Sequence, residues 1–265
     1  MYALQDFFGA ARDLRAWSYL AAKQIQFDYR RNLLGSAWIV IGFAITTGGI
    51  GWLIAQLQGR DIAVHIPYVA FGFVAWNFIL SAVTEGSHAL TRNRGLLLQA
   101  PMERSVFVFS LVLKKLFLLV IQLATAMALA AALGWRPSMT LFMLLPGLLV
   151  LTLTAVGTVT FLSVIGTVLR DVAELISAGM RLTFFFTPII WTVEARFAQD
   201  AGPNGLELVA RLNPFTYFVE LIRAPALGTM PGMETWIVTI GIGLLMLLLG
   251  LAALQWLGRR LVFWL

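Results

Sequence analysis

The chain has 265 residues, 60% of them hydrophobic and only 12% charged, with a mean hydropathy of +0.85. Soluble domains carry about 45–50% apolar and about 25% charged residues, so a water-exposed globule is excluded, and the apolar excess also excludes disorder. The formal charge of +6 is scattered between apolar runs, which fits membrane orientation and anionic headgroups rather than nucleic acid, and without cysteine there are no disulfides, thiolate ligands or thiol nucleophiles.

Residues 1–22 carry Asp6, Arg12, Asp13 and Arg15 with no unbroken apolar core and no clean cleavage site, so this stretch is expected to stay attached. Leu4, Phe7, Phe8, Ala11, Leu14, Trp17 and Ala21 recur at helical spacing, and the charges occupy much of the remaining face. That pattern predicts an amphipathic interface helix on the inner membrane surface, either as a simple anchor or also as a contact for a cytoplasmic partner.

Six stretches are long and apolar enough, or nearly so, to cross about 30 Å of hydrocarbon. They are residues 37–57, the shorter 67–83, 116–133 behind Lys114 and Lys115, the overlong 139–169, 172–193 with Glu174 and Arg181 inside it, and 236–257. Their continuous apolarity favours helices over barrel strands, which alternate over about ten residues. With both termini inside, 13 of the 19 Lys and Arg residues fall on the inner side and 5 on the outer, with Arg181 within a span. The excess predicts an even number of spans and cytoplasmic ends. The expected fold is an all-α membrane protein of six transmembrane helices in one domain, residues 1–265. A surface helix and lead-in (1–34) would precede five helices (37–193), an outer hairpin (194–235), and a last helix with a cytoplasmic tail (236–265).

Residues 85–105 form the main inner loop, with Arg92 and Arg94, then Leu96, Leu97 and Leu98, then Pro101, Glu103 and Arg104. Exposed leucines among charges require a surface to pack on, either the bilayer or a groove on another protein. Between the fifth and sixth stretches, residues 206–212 and 215–227 read as short helices broken by Asn213-Pro214, Pro225 and Gly228. Too short to span, they read as a re-entrant hairpin dipping into the outer leaflet, which survives only beside protein or a water-filled passage.

No G-x-x-x-x-G-K-[ST], G-x-S-x-G or H-E-x-x-H occurs, and His65 and His88 fall on opposite sides of the predicted membrane, so no P-loop nucleotide site or metal site is expected. Catalysis is not expected either, although a membrane-embedded enzyme of glycan assembly relying on sparse residues stays open. Arg181 lies well inside its stretch, where a charge faces a cavity or protein rather than lipid, with Glu174 two turns away; snorkelling is the alternative. Phe184, Phe185, Phe186 and Trp191, with Phe215, Tyr217 and Phe218, form either an aromatic belt or the wall of a passage. Successive helical phenylalanines point in different directions, and sugar rings stack on aromatic faces.

Four short segments, in order along the chain, resemble permease subunits of ATP-binding-cassette polysaccharide exporters. Tyr29-Arg30-Arg31-Asn32-Leu33-Leu34-Gly35 followed by Trp38 is similar to that family's Tyr-Arg-x-Ser-x-Leu-Gly-x-x-Trp lead-in. Arg170-Asp171 resembles its Arg-Asp junction, and Thr187-Pro188-Ile189-Ile190-Trp191 its Thr-Pro-Val-Ile element. Asn213-Pro214-Phe215-Thr216, running on to Glu220, Arg223 and Leu227-Gly228, resembles its Asn-Pro outer hairpin. Asn32 replaces the usual Ser, and Gly42 stands near where a proline is common.

The resemblance implies a homodimer in the inner membrane of a bacterium, bound to two copies of a separate nucleotide-binding ATPase that carries ATP and Mg. It implies that Arg92, Arg94, Pro101, Glu103 and Arg104 couple to that subunit. The dimer would enclose a channel for a glycan on an undecaprenyl-diphosphate lipid, gated by the outer hairpins. Trp38, Arg181, Phe184, Phe185, Trp191, Tyr217 and Phe218 are the candidate channel and gate residues. Arg30 and Arg31 at the inner mouth would attract the diphosphate, with plain positive-inside anchoring as the alternative. Length and short N-terminus look most like the O-antigen exporters (the Wzm type), followed by capsule and teichoic-acid exporters; a drug or lipid permease of the same fold is the rival.

Overall fold

The computed structural model describes residues 2–30, 35–99, 102–192 and 205–264. Two helices open it, α1 (Tyr2–Arg12) and α2 (Leu14–Tyr29), where the apolar spacing predicts one. They part at Asp13, whose carboxylate accepts the Ala16 N–H at 3.1 Å and so caps α2. Next come α3 (Ala37–Gln58), α4 (Ile62–Gly86), the short α5 (Arg94–Gln99) and α6 (Ser105–Ala132). A 3₁₀ turn (Met139–Met143) leads into α7 (Leu144–Val168), followed by α8 (Arg170–Phe186), α9 (Gly205–Leu212), α10 (Pro214–Ala226) and α11 (Met233–Leu257). The described residues contain no strand.

Among the described residues, five helical stretches are long and apolar enough to cross a membrane: α3, α4, α6, Met139–Val168 and α11. The third begins at Ser105 and runs straight through Lys114 and Lys115, which the sequence reading places at its start. Both lysines are paired, with Asp28 of α2 at 2.7 Å and with Glu85 of α4 at 2.5 Å, so their charge does not end the helix. The expected span over 172–193 takes a different form. Its helix, α8, ends at Phe186, is about 25 Å long at 1.5 Å per residue, and carries Asp171, Glu174 and Arg181. It is neither long nor apolar enough to count among the five, and residue 193 lies outside the described residues.

The bundle is built round α4, 15 of whose 25 residues are buried. By contrast α3 buries only Phe43, Thr47, Gly51 and Ala55, a single stripe at four-residue spacing. The most extensive pairing joins α7 to α11. A methyl group on Gly157 would lie 2.5 Å from the Leu247 nitrogen, one on Gly243 2.6 Å from the Thr154 hydroxyl, and one on Gly250 2.8 Å from the Gly157 carbonyl. Those contacts rise together along both helices, so α7 and α11 run parallel. The chain must therefore climb back along the bundle between them.

That climb is visible in the contacts of α8 with α4. Phe184 meets Phe73 and Trp76 near the middle of α4, and the Tyr68 hydroxyl donates towards the Pro188 and Trp191 carbonyls nearer its start. The segment thus runs antiparallel to α4, from the end holding α1, α2 and α5 (the basic end) towards the other (the hairpin end). The two short helices expected at 206–212 and 215–227 are α9 and α10, matched to within a residue.

Candidate functional site

At the basic end, α1 is fastened by its one buried acid. Asp6 is 5% exposed, and its carboxylate accepts the Arg104 N–H at 3.0 Å, the Ser105 N–H at 3.0 Å and the Ser105 hydroxyl at 2.6 Å. A helix start leaves N–H groups without intrahelical partners, and here α1 supplies the acceptor for α6 from outside. Tyr2 adds bonds to Asp6 and to the Arg104 guanidinium, and the Ala3 N–H reaches Gln255 near the end of α11 at 2.8 Å. The loop leading into α6 and the last turns of α11 are thereby tied to one short helix. Sequence spacing puts Asp6 on the polar face; the structure buries it with Ala3 and Ala10, while Leu4 and Phe8 stay exposed. The signal available was its place between those two alanines at helical spacing.

The remaining inner-loop residues project outward. Arg92, Arg94 and Glu103 are exposed, as are Leu96 and Leu98, while Leu97 packs inward on Leu90 and its neighbours. Arg92 lies 3.5 Å from Glu85, and Glu103 sits over Gly9 of α1. Pro101 lies outside the described residues, as does Arg31; Arg30 caps the end of α2 and is exposed. Basic end, α1 and α5 together form one charged platform with an apolar rim.

The aromatic and cationic candidates of the other half divide into two groups. Trp38, Arg181 and Phe185 are exposed, the last two on a face of α8 that also carries Glu174, Leu175 and Leu182. No ion pair joins Glu174 to Arg181 among the described residues. Phe184 instead packs inward on α4, Trp191 is 8% exposed, and Phe218 is buried between α10 and the bundle. Tyr217 binds the Glu234 carboxylate at 2.8 Å and the Arg211 carbonyl at 2.9 Å, tying α10 to α9 and α11.

Asn213 sits at the corner of α9 and α10. Its side-chain oxygen accepts the Phe215 N–H at 3.0 Å, capping α10, and its amide donates to the buried Thr187 hydroxyl at 2.8 Å. Phe215 meets Trp76 at mid-length of α4, whereas the far end of α10 takes bonds from Trp135 and Thr140 near the ends of α6 and α7. The α9–α10 corner is therefore sunk to the middle of the bundle. Arg223, 4% exposed, pins this arrangement: it donates to the Pro188 carbonyl at 2.6 Å, pairs with Glu220 at 2.7 Å, and lies 4.0 Å over the Tyr68 ring. Among the described residues no three His, Asp or Glu side chains gather where they would hold a metal ion.

Long apolar helices packed round a buried central one, with charged short helices at one end, define a helical membrane protein. The chain belongs to the ABC-2 type transporter family, whose sequence model matches residues 15–227. As a member it is a permease of an ATP-binding-cassette transporter, a transport subunit rather than a catalyst, and the family implies an ATP-binding partner. It is 25% identical over 207 residues, 77% of each chain, to the O-antigen export system permease protein RfbA of Myxococcus xanthus. Two proteins of that name from Klebsiella pneumoniae are 23% and 22% identical over 207 residues, 74% of each chain.

Proposed function

We propose that the chain is the channel-forming subunit of an exporter of undecaprenyl-diphosphate-linked polysaccharide, of the O-antigen type, in the inner membrane of a bacterium. Two copies pair through the exposed faces of α3 and α8, so that Trp38, Arg181 and Phe185 line the passage between them. Two copies of a separate ATPase, which binds ATP and Mg, dock on the platform of α1, α5, Arg92, Arg94, Glu103 and Arg104. Arg30 and Arg31 receive the diphosphate at the inner mouth. The single observation carrying this reading is the likeness, over most of the chain, to permeases named for O-antigen export.

The geometry supports it at two points. The parallel course of α7 and α11 supports a sixth crossing made by α8 and residues 187–191, whose polar residues are admissible if that crossing faces a passage instead of lipid. The sunken corner at Asn213 suits a re-entrant outer gate, since irregular backbone at that depth is tolerated only against protein or water. ATP binding that draws the two ATPases together would move Arg104, and with it α1 and the foot of α6, through the Asp6 bonds. A ligand shifts such an equilibrium only by binding one state better than the other.

The test is deletion of the gene in its host. Lipid-linked glycan should accumulate on the inner side, surface polysaccharide should vanish, and the wild-type copy should restore it together with its ATPase. Stimulation of the complex's ATPase by small amphiphiles and not by lipid-linked glycan would instead assign a drug or lipid permease of the same fold.

A further inference from the structure

Inside each protomer, between α3, α4 and α6, lies a polar cleft that the proposed two-fold passage does not use. It comprises two adjoining cavities of about 340 and about 370 Å³, each within the range of about 300–1,000 Å³ typical of small-ligand sites. The first is lined by Ser81, Thr84, Glu85 and Lys115, the second by Tyr29, Thr46 and Thr47, and Asn77 and Gln122 belong to both. The cleft runs from the basic end to about mid-length of α4 and α6, in the half of the bundle nearest α2.

Its polar groups are not consumed by the protein. Asn77 donates to the Gln122 side-chain oxygen at 3.4 Å, which leaves the Asn77 oxygen and the Gln122 amide hydrogens without a protein partner among the described residues. Ser81, Thr84 and Thr47 donate to the carbonyls of their own helices, so their hydroxyl oxygens still accept. Two carboxamides with free valences halfway along apolar helices are unfavourable there unless water or a ligand meets them. Charge is confined to the basic end, where Lys115, 4% exposed, is paired with Glu85. Beyond that pair, the described residues lining the deeper cavity include no carboxylate, histidine or lysine, and Tyr29 is their one titratable side chain. What remains is a wall of neutral donors and acceptors with the rings of Phe43 and Phe73 beside them, the surface that suits a hydroxyl-rich ring.

We propose that this cleft is a water-filled carbohydrate subsite within each protomer, holding part of the glycan off the two-fold axis. The proposal rests on the polysaccharide-export reading above. The chain has no cysteine, so single reporters are clean. Thr84→Cys and Ser81→Cys, both on the α4 wall of the cleft, are made in the full complex with its ATPase and exposed, in inside-out vesicles, to a membrane-impermeant cationic methanethiosulfonate. Both should react, while Leu153→Cys and Leu248→Cys on the exposed apolar flanks of α7 and α11 should not. Polysaccharide released from the host's lipid-linked glycan, supplied at about ten times its dissociation constant, should slow labelling by about tenfold. Polyethylene glycol of equal size should not slow it, and Asn77→Leu with Gln122→Leu should abolish the protection at unchanged membrane abundance. Unreactive cysteines, or labelling that the polysaccharide leaves unchanged, overturns the subsite. Polysaccharide export by the cysteine variants' parent is scored in the same strain, so a lost subsite with intact export is distinguished from failure of the export reading, which takes the subsite with it.

Discussion

A buried carboxylate at the foot of α6 satisfies donors that the helix itself cannot. Asp6 accepts from two backbone N–H groups and one hydroxyl of residues 104 and 105, which makes it a cap delivered by another helix. Losing an ordinary cap costs about 0.5–2 kcal/mol. Asp6→Ala should therefore lower the melting midpoint of the detergent-solubilised protein, and Asp6→Asn, which keeps one accepting oxygen, should fall between. An unchanged midpoint in Asp6→Ala would remove the clamp. A helical wheel sets Asp6 beside Ala3 and Ala10 but cannot show what it binds, because the donors it serves lie about a hundred residues away. Lys114 and Lys115 mislead for the same reason: read alone they end a span, and only Asp28 and Glu85 make them compatible with its interior.

At the scale of helices, the apolar stretches were legible because length and composition decide them locally. Four of the six expected spans coincide with long apolar helices at both ends or nearly so, and Asn213-Pro214 marks the α9–α10 corner where proline chemistry predicts a helix start. The character of α8 was not legible, since its use of charge depends on what it faces. Nor was the α7–α11 seam, where the decisive residues are glycines whose role is to be small. Gly157→Ala should force the two backbones apart, costing on the order of 1–3 kcal/mol as overpacking does, and should lower membrane abundance on immunoblots. Gly241→Ala, on the same helix as Gly243 and Gly250 but facing open space, should leave abundance unchanged or raise it. Equal behaviour of the two variants would show that the close seam does not hold these helices.

For the molecule as a whole, the parallel course of α7 and α11 fixes what the intervening chain has to accomplish. If α8 crosses, both ends of the protein share one side and the turn between α10 and α11 lies on the other. Single cysteines at Tyr19 and Trp264 should then be labelled from the cytoplasmic side by an impermeant reagent, and one at Met230 from the opposite side. Labelling of Tyr19 and Trp264 from opposite faces would leave five crossings and dissolve the orientation drawn from the Lys and Arg count. The overall class was readable from composition, and the resemblance extended it to the permease family that the comparison with known sequences bears out. The polar cleft was not readable, because Asn77 and Gln122 are ordinary residues until α4 and α6 bring them together.

The narrow stripe by which α3 touches its own bundle has a mechanical corollary. A rod held along one line can roll about that line at little expense, whereas a rod wedged on three sides cannot. Backbone amides of α3 should accordingly exchange with deuterium sooner than those of α4 in the lone chain, and slow markedly in the assembled transporter if the proposed second copy leans on the bare side.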